Sequence, residues 1–215
     1  NGEVFNFIEI RQELEKLGQK FISNSDTEII LAAYETWGMP AFHKFNGMWA
    51  IALWDEVDKK LLLCRDRFGI KPFYYAYEKG KYLAFASETN AFTQLEPLYK
   101  REIDSEKFKI AEADTYALCG RGHSIFKNIF QLLPGHYAIV DAAIEVKQQR
   151  WFHIDEHTKP LDLNYTLQVE KFKELFFDAC RLRLRSDVKV ATALSGGLDS
   201  SSVYCTLAKL EKEIK

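Results

Sequence analysis

Ala193-Leu194-Ser195-Gly196-Gly197-Leu198-Asp199-Ser200-Ser201 is the stretch best suited to hold an anion. Two adjacent glycines after a short β-rich run let the backbone turn tightly, so several N–H groups can face one concavity. A helix predicted to begin at about Asp199 would add unpaired N–H donors and a partial positive charge, and phosphates bind where those coincide. Ser195, Ser200 and Ser201 supply hydroxyl donors. No Gly-Lys-Ser/Thr follows, so this is not a Walker-type loop. A plain strand-to-helix turn capped by Asp199 or Ser200 accounts for the same residues equally well.

Two further segments hold polar groups at suggestive spacing. Asn1-Gly2-Glu3-Val4-Phe5-Asn6 opens the chain, and Ser25-Asp26-Thr27-Glu28 precedes an apolar run. Asn-Gly is a turn dipeptide, and Ser25 with Glu28 has capping-box spacing, so on these terms alone both pieces are structural. Arg65-Asp66-Arg67-Phe68-Gly69-Ile70-Lys71-Pro72 reads as a hairpin turn with an Arg–Asp pair and Gly69 at positive φ, rather than as an anion site. Arg181, Arg183 and Arg185 sit where a helix C-terminus favours cations and read as a solvated face. His43, His123, His136, His153 and His157 lack ligand spacing, and no metal site is expected from them. Cys64, Cys119, Cys180 and Cys205 show no CxxC pairing, which fits free thiols in a reducing compartment. Cys64 falls in the apolar run Leu61–Cys64 and reads as an inert buried thiol.

Elements must position these groups. Helices are predicted over Ile8–Leu17, ended by Gly18, and over Asp26–Trp37, ended by Gly38. Ile29, Ile30, Ala33 and Trp37 give the second helix one apolar face. Gly47–Asp55 and Leu61–Arg65 form a hairpin buried on both faces, given their near-continuous apolar runs. Phe73–Tyr77 with Tyr82–Ala86, and Gly135–Asp141 with Ile144–Trp151, form two more strand pairs. Antiparallel sheets covered by helices follow from that order. After a polar stretch, Asp155–Asp162, the pattern changes. A helix with the stripe Phe172, Leu175, Phe176, Ala179 and Leu182 leads to the strand Val188–Leu194, the glycine loop and a helix through Ser202–Leu210. That is the entry to a parallel α/β sheet.

Composition sets outer bounds. The 215 residues carry a net charge of −2, with 47% hydrophobic and 28% charged residues, the balance of a globular protein rather than a disordered one. Near-zero charge argues against a dedicated nucleic-acid or membrane-surface binder. The longest apolar run, Met48–Trp54, is far short of the ~20 residues that cross a bilayer. No signal peptide is evident. A chain that starts at Asn1 and ends inside a predicted helix at Lys215 is expected to be a fragment cut at both ends.

SGGLDSS after a hydrophobic strand resembles the PP-loop of the N-type ATP pyrophosphatases, which adenylate a substrate and release pyrophosphate. The resemblance implies that Ser195, Gly196, Gly197, Asp199 and Ser200 hold the ATP phosphates, that Ala193 and Leu194 pass near the nucleotide, and that Mg²⁺ bridges the phosphates. NGEVFNF, SDTEII, FNGMWAIALWD, RDRFGIKPFYY, FASE and LLPGHY occur in the order found in the glutaminase domain of class II glutamine amidotransferases. With the PP-loop behind them, the whole chain resembles the glutamine-hydrolysing asparagine synthetases. The fold so implied is α/β: an αββα glutaminase sandwich of antiparallel sheets, then the first βα unit of a parallel PP-loop domain. Residues 1–154 would be the glutaminase part without its N-terminal segment, 155–163 a linker, and 164–215 the start of the ATP-binding domain.

By the same resemblance, Asn1 and Gly2 form the oxyanion hole, and Asn1, Gly2, Glu3 and Asp26 bind glutamine, the two carboxylates taking its α-amino group. The family's nucleophile is an N-terminal cysteine with its own α-amino group as base. None of the four cysteines falls at that place; the chain is expected to begin downstream of the segment where the family keeps its nucleophile and of an arginine loop for the glutamine carboxylate, and whether that segment carries a cysteine here is left open. The segment alone is expected not to catalyse the overall reaction. The parent activity implied is ATP-dependent transfer of glutamine nitrogen to aspartate through a β-aspartyl-AMP. Its partners would be glutamine, aspartate and ATP, with no nucleic acid and no membrane, in the cytoplasm, and a homodimer is the assembly the resemblance allows. A sister enzyme acting on another carboxylate, of the β-lactam synthetase kind, and a degenerate non-catalytic module are the alternatives.

Overall fold

The computed structural model describes residues 1–95, 99–114 and 116–214; Lys215, expected inside a helix, falls outside them. The chain runs β1 (Gly2–Val4), α1 (Phe7–Lys16), α2 (Asp26–Trp37), α3 (Ala41–Lys44), β2 (Gly47–Asp55), β3 (Lys60–Arg65), β4 (Tyr74–Glu78) and β5 (Tyr82–Ala86). There follow α4 (Ser105–Ala113), β6 (Ile129–Gln131), β7 (His136–Val140), β8 (Gln149–Arg150), α5 (Ile154–His157), α6 (Tyr165–Leu182) and α7 (Leu198–Ile214). Two antiparallel sheets result, ordered β1-β2-β3-β7-β8 and β5-β4-β6.

The two sheets stack because the central strands are apolar on both faces. Along β3, Leu62 and Cys64 turn to one side and join Ile10, Leu14, Ile29, Ala33, Phe42 and Trp49 beneath α1, α2 and α3. Leu63 turns to the other side and meets Phe73, Tyr75, Leu132 and Val140 between the sheets. The alternation is the period-2 geometry of a strand with both faces covered. Outside the second sheet, Ala76 and Ile129 are covered by Phe92, from a 3-10 turn at Thr89–Leu95, and by Tyr99. Helix α4 buries none of its residues.

Helix α2 keeps its expected bounds. Ser25 caps it by accepting from Thr27 N at 3.1 Å, but Glu28 does not complete a capping box. Its carboxylate instead accepts from Ile22 N, Ser23 N and Ser23 Oγ, tying down the incoming loop. The turn after β3 is organised by two side chains that bind backbone. Asp66, 1% exposed, accepts from the N–H groups of Trp49, Phe68, Ile70 and Lys71, while Arg65 donates to the carbonyls of Lys71, Leu132 and Gly69.

Three expectations change. Asn1-Gly2 is not a turn: it leads into an edge strand paired with β2. The pair of β7 with the segment before Trp151 shortens to two residues. Gln148 turns inward instead, accepting from Leu133 N and donating to Tyr75 Oη and Gln131 O. Val188–Leu194 takes no strand partner among the described residues, because a parallel strand requires neighbours to complete its ladder. The helix behind it, α7, forms nonetheless and packs on α6. Among the described residues no helix is long and apolar enough to cross a membrane.

Candidate functional site

Strand β1 lies at the edge of its sheet, and the parity of its ladder decides where its donors point. Asn1 and Ala50 exchange two backbone hydrogen bonds, 3.1 Å from Asn1 N to Ala50 O and 2.8 Å from Ala50 N to Asn1 O. The next pair, Gly2 with Trp49, is therefore non-hydrogen-bonded, and the Gly2 N–H faces the open edge. Val4 has the same parity, and its outward N–H is taken by Asp26 Oδ2 at 3.0 Å. Asp26 stands in the first turn of α2, where helix N–H groups favour an acid.

The close approach of a non-hydrogen-bonded pair leaves no space for a side chain at two points. A Cβ on Gly2 would fall 2.1 Å from Met48 O and 2.6 Å from Trp49 Cα, and the residue has φ +132°. A Cβ on Gly47 would fall 2.1 Å from Glu3 O. Both glycines are what allow β1 to lie flat against β2.

Asn1, Gly2, Glu3 and Asp26 line a single pocket of about 280 Å³, floored by β2 from Trp49 to Trp54 and walled by Thr27, Ile30 and Leu31 of α2. Of the residues expected to bind glutamine, all four are brought together. The Asn1 Nδ2 donates to Ser87 Oγ at 3.1 Å, which engages one of its two N–H bonds and fixes the carboxamide plane. Ser87 was not singled out from the sequence; only its place in FASE, just after β5, marked it. None of Cys64, Cys180 and Cys205 lines the pocket. Burial pushes the Cys64 thiol far above its ordinary value and keeps it protonated.

The second candidate group lies at the start of α7. The helix begins at Leu198, so Asp199 is in its first turn rather than at its cap. Ser195 Oγ and Ser200 Oγ lie 2.9 Å apart, Ser200 Oγ donates to Gly197 O, and Gly196 takes φ +82°. These contacts curl the loop so that hydroxyls and the first helical N–H groups share one exposed end. Ala193 and Leu194 lead into it, Leu194 at 58% exposure. Among the described residues no group of three or more His, Cys, Asp or Glu could hold a metal ion.

The arginines after α6 are not a purely solvated face. Arg183 lies over the Phe5 ring at 4.9 Å. Arg185, with its side chain 26% exposed, donates to Glu9 and to Phe5 O.

With this geometry in hand, comparison with known proteins gives concordant results. The family described as "Glutamine amidotransferase domain" matches residues 1–152, and the family described as "Asparagine synthase" matches residues 171–215. Putative asparagine synthetase (glutamine-hydrolyzing) 2 of Methanocaldococcus jannaschii is 35% identical over 206 residues, covering 94% of this chain and 38% of the relative. Asparagine synthetase (glutamine-hydrolyzing) 3 of Bacillus subtilis is 36% identical, covering 100% and 34%. Amidase chry2 of Gibberella zeae is 32% identical, covering 99% and 31%. The chain thus spans about a third of the length of these relatives. Among solved structures, glutamine phosphoribosylpyrophosphate amidotransferase from B. subtilis aligns with a TM-score of 0.50 at 16% identity, covering 97% of this chain and 43% of that one. At that identity the likeness is one of fold.

Proposed function

The chain belongs to the glutamine amidotransferase domain family, joined to the start of an asparagine synthase domain, and from that premise we propose that it hydrolyses glutamine for an ATP-dependent amide synthesis. The observation that carries this reading is the single pocket that gathers Asn1, Gly2, Glu3 and Asp26 around the outward N–H of Gly2. Two donors, the second N–H of the Asn1 carboxamide and the Gly2 N–H, suit the oxyanion that forms when the glutamine amide carbon becomes tetrahedral. Asp26 keeps one carboxylate oxygen beyond the one that holds Val4, and with Glu3 it offers negative charge to the α-amino group of glutamine. The nucleophile in this reading is the N-terminal cysteine that the family uses, a residue other than Cys64, Cys119, Cys180 and Cys205. Its thiolate attacks the amide carbon, ammonia leaves, and water then releases glutamate.

Nitrogen is consumed at the second group. In this reading the loop Ser195–Ser200 and the N-terminus of α7 hold the phosphates of ATP. A carboxylate oxygen of aspartate attacks the α-phosphorus, pyrophosphate leaves, and ammonia then displaces AMP from the β-aspartyl-AMP to give asparagine. A relative named as an amidase shows that similar chains are not all named asparagine synthetase, and a second reading keeps the same architecture with another carboxylate as the acceptor.

The full-length protein, given glutamine, ATP, Mg²⁺ and aspartate, is expected to release asparagine, glutamate, AMP and pyrophosphate. Amide formation with a different carboxylate and none with aspartate moves the assignment to the second reading. No AMP release with any carboxylate, from glutamine or from free ammonia, overturns the enzymatic assignment.

A further inference from the structure

Two sites that exchange ammonia must be held in a fixed relation, since ammonia released to water is protonated and lost as a nucleophile. One side chain ties the chain beside the first site to the chain leading into the second. Arg185 lies just beyond α6 and ten residues ahead of Ser195. Its guanidinium donates from Nη1 to Glu9 Oε2 at 2.6 Å and to Phe5 O at 2.7 Å, and from Nη2 to Glu9 Oε1 at 2.6 Å. Phe5 directly follows β1, the strand that carries Gly2 and Glu3, and its N–H is bonded to Asn46 O, so its carbonyl is part of a fixed backbone. Glu9 stands in the first turn of α1, where the helix N-terminus favours its carboxylate. Arg183 adds a cation–π contact to the Phe5 ring.

An isolated surface ion pair fixes little. This contact differs in geometry: a planar fork meets a carboxylate through two parallel bonds, and the same fork reaches a backbone carbonyl. A bidentate contact specifies orientation as well as proximity. Glu9 and Arg185 are 176 positions apart, so the contact also fixes how the two ends of the chain meet.

We propose that Arg185 is a positioning residue that holds the glutamine pocket and the nucleotide loop in register through Glu9 and the Phe5 carbonyl, so that nitrogen freed at one is used at the other. The inference rests on the nitrogen-transfer reading above, and its test separates the two. In the full-length protein, Arg185→Ala, Arg185→Lys and the exchanged pair Arg185→Glu with Glu9→Arg are compared for glutamate formed per amide product. Ammonia-fed synthesis is measured alongside. Arg185→Ala is expected to raise the ratio about threefold or more, as a lost coupling contact does, and to leave the ammonia-fed rate within about twofold. Lysine, a point donor, is expected to restore part of the coupling, and so is the exchanged pair, which can remake the ion pair but not the bond to the Phe5 carbonyl. A ratio unchanged in Arg185→Ala overturns the proposal, as does a raised ratio that neither Arg185→Lys nor the exchanged pair lowers.

Amide hydrogen exchange reads the contact without any activity. Segments 2–9 and 186–197 are expected to exchange faster in Arg185→Ala and to recover in part in Arg185→Lys and the exchanged pair; unchanged exchange in Arg185→Ala refutes the contact. An enzyme that forms no amide from ammonia in any variant refutes the nitrogen-transfer reading, while the exchange data still decide the contact.

Discussion

Replacing Gly2 by alanine isolates what holds β1 on its sheet. The new Cβ would stand 2.1 Å from Met48 O, more than an ångström inside contact distance, at a φ of +132° that alanine adopts only with strain. Backbone strain of this kind costs about 1–3 kcal/mol. The chain escapes the clash only by moving β1 off β2, which gives up the paired bonds of Asn1 and Ala50 and uncovers Val4, 1% exposed. Burial of a valine side chain contributes about 1.5–3 kcal/mol and each bond about 0.5–1.5 kcal/mol. Both routes converge on a loss of about 3 kcal/mol, or about 6–12 °C in Tm for a chain of this size. Two controls separate the causes. Gly47→Ala meets Glu3 O at 2.1 Å without a left-handed φ, so it tests the clash alone. Gly80→Ala, at φ +74° with nothing within 4 Å, tests backbone strain alone and should cost about 1 kcal/mol, or about 2–4 °C. Thermal unfolding followed by circular dichroism should rank Gly2→Ala and Gly47→Ala well below Gly80→Ala. Equal midpoints for all three would refute the close-approach argument.

Asp26→Asn keeps an acceptor for Val4 N and loses the charge, so Tm should hold while the dissociation constant for glutamine, read by calorimetry, rises about tenfold; Asp26→Ala should lower Tm as well. Asp66→Ala strands four N–H groups at a buried position and should cost about 3–5 kcal/mol, which denaturant titration would register as a lower midpoint at constant slope. Site-resolved mass spectrometry after alkylation at pH 8 should find exposed Cys205 modified in the native protein and Cys64 only after denaturation. The hydrogen bond from Arg185 holds the Glu9 carboxyl below its ordinary 4.5, so the contact's contribution to stability is present above that pH and is lost as pH falls through the lower, folded value. The Tm difference between the parent chain and Arg185→Ala should accordingly be constant well above pH 4.5 and shrink as pH falls below it, toward the part owed to the Phe5 carbonyl; a difference independent of pH throughout would show that Glu9 is not its source.

Local signals account for what was legible. Helix α2 announces both its ends, with Ser25 before it and Gly38 after it, and β2 with β3 announce burial on both faces by unbroken apolar runs. What escaped has its cause elsewhere in the chain. The three residues of β1 are too few to show period 2, and their partner strand lies more than forty positions away, so only the local turn preference of Asn-Gly was visible. Helix α4 carries no buried residue and hence no stripe, although Asp104 caps it by accepting from Glu106 N and Lys107 N. Val188–Leu194 has strand propensity without a partner among the described residues, and propensity alone does not complete a ladder. Within the candidate site, Asn1, Gly2, Glu3 and Asp26 were found through motif order, whereas Ser87 meets Asn1 across 86 positions and Arg185 meets Glu9 across 176. Nothing in the local composition of either segment encodes those meetings.

The register of β1 ties core packing to the donors of the pocket. In an antiparallel ladder, a slip by one residue turns every side chain to the opposite face and every outward N–H inward. Such a slip would expose Val4, bring Glu3 beneath the helices, and turn the Gly2 N–H toward β2. It would also remove the Val4 N–H from Asp26. Each of these features therefore resists the same displacement: the buried valine by its apolar surface, Asp26 by its hydrogen bond, and Gly2 and Gly47 by permitting close approach at only one alignment. A donor aimed by an edge strand is ordinarily easy to displace, because one side of the strand is unpaired. Here the outward N–H at Val4 is held by Asp26, and the chain just past the strand is held by the Arg185 contact to the Phe5 carbonyl, which leaves Gly2 as the outward rung presented to a ligand.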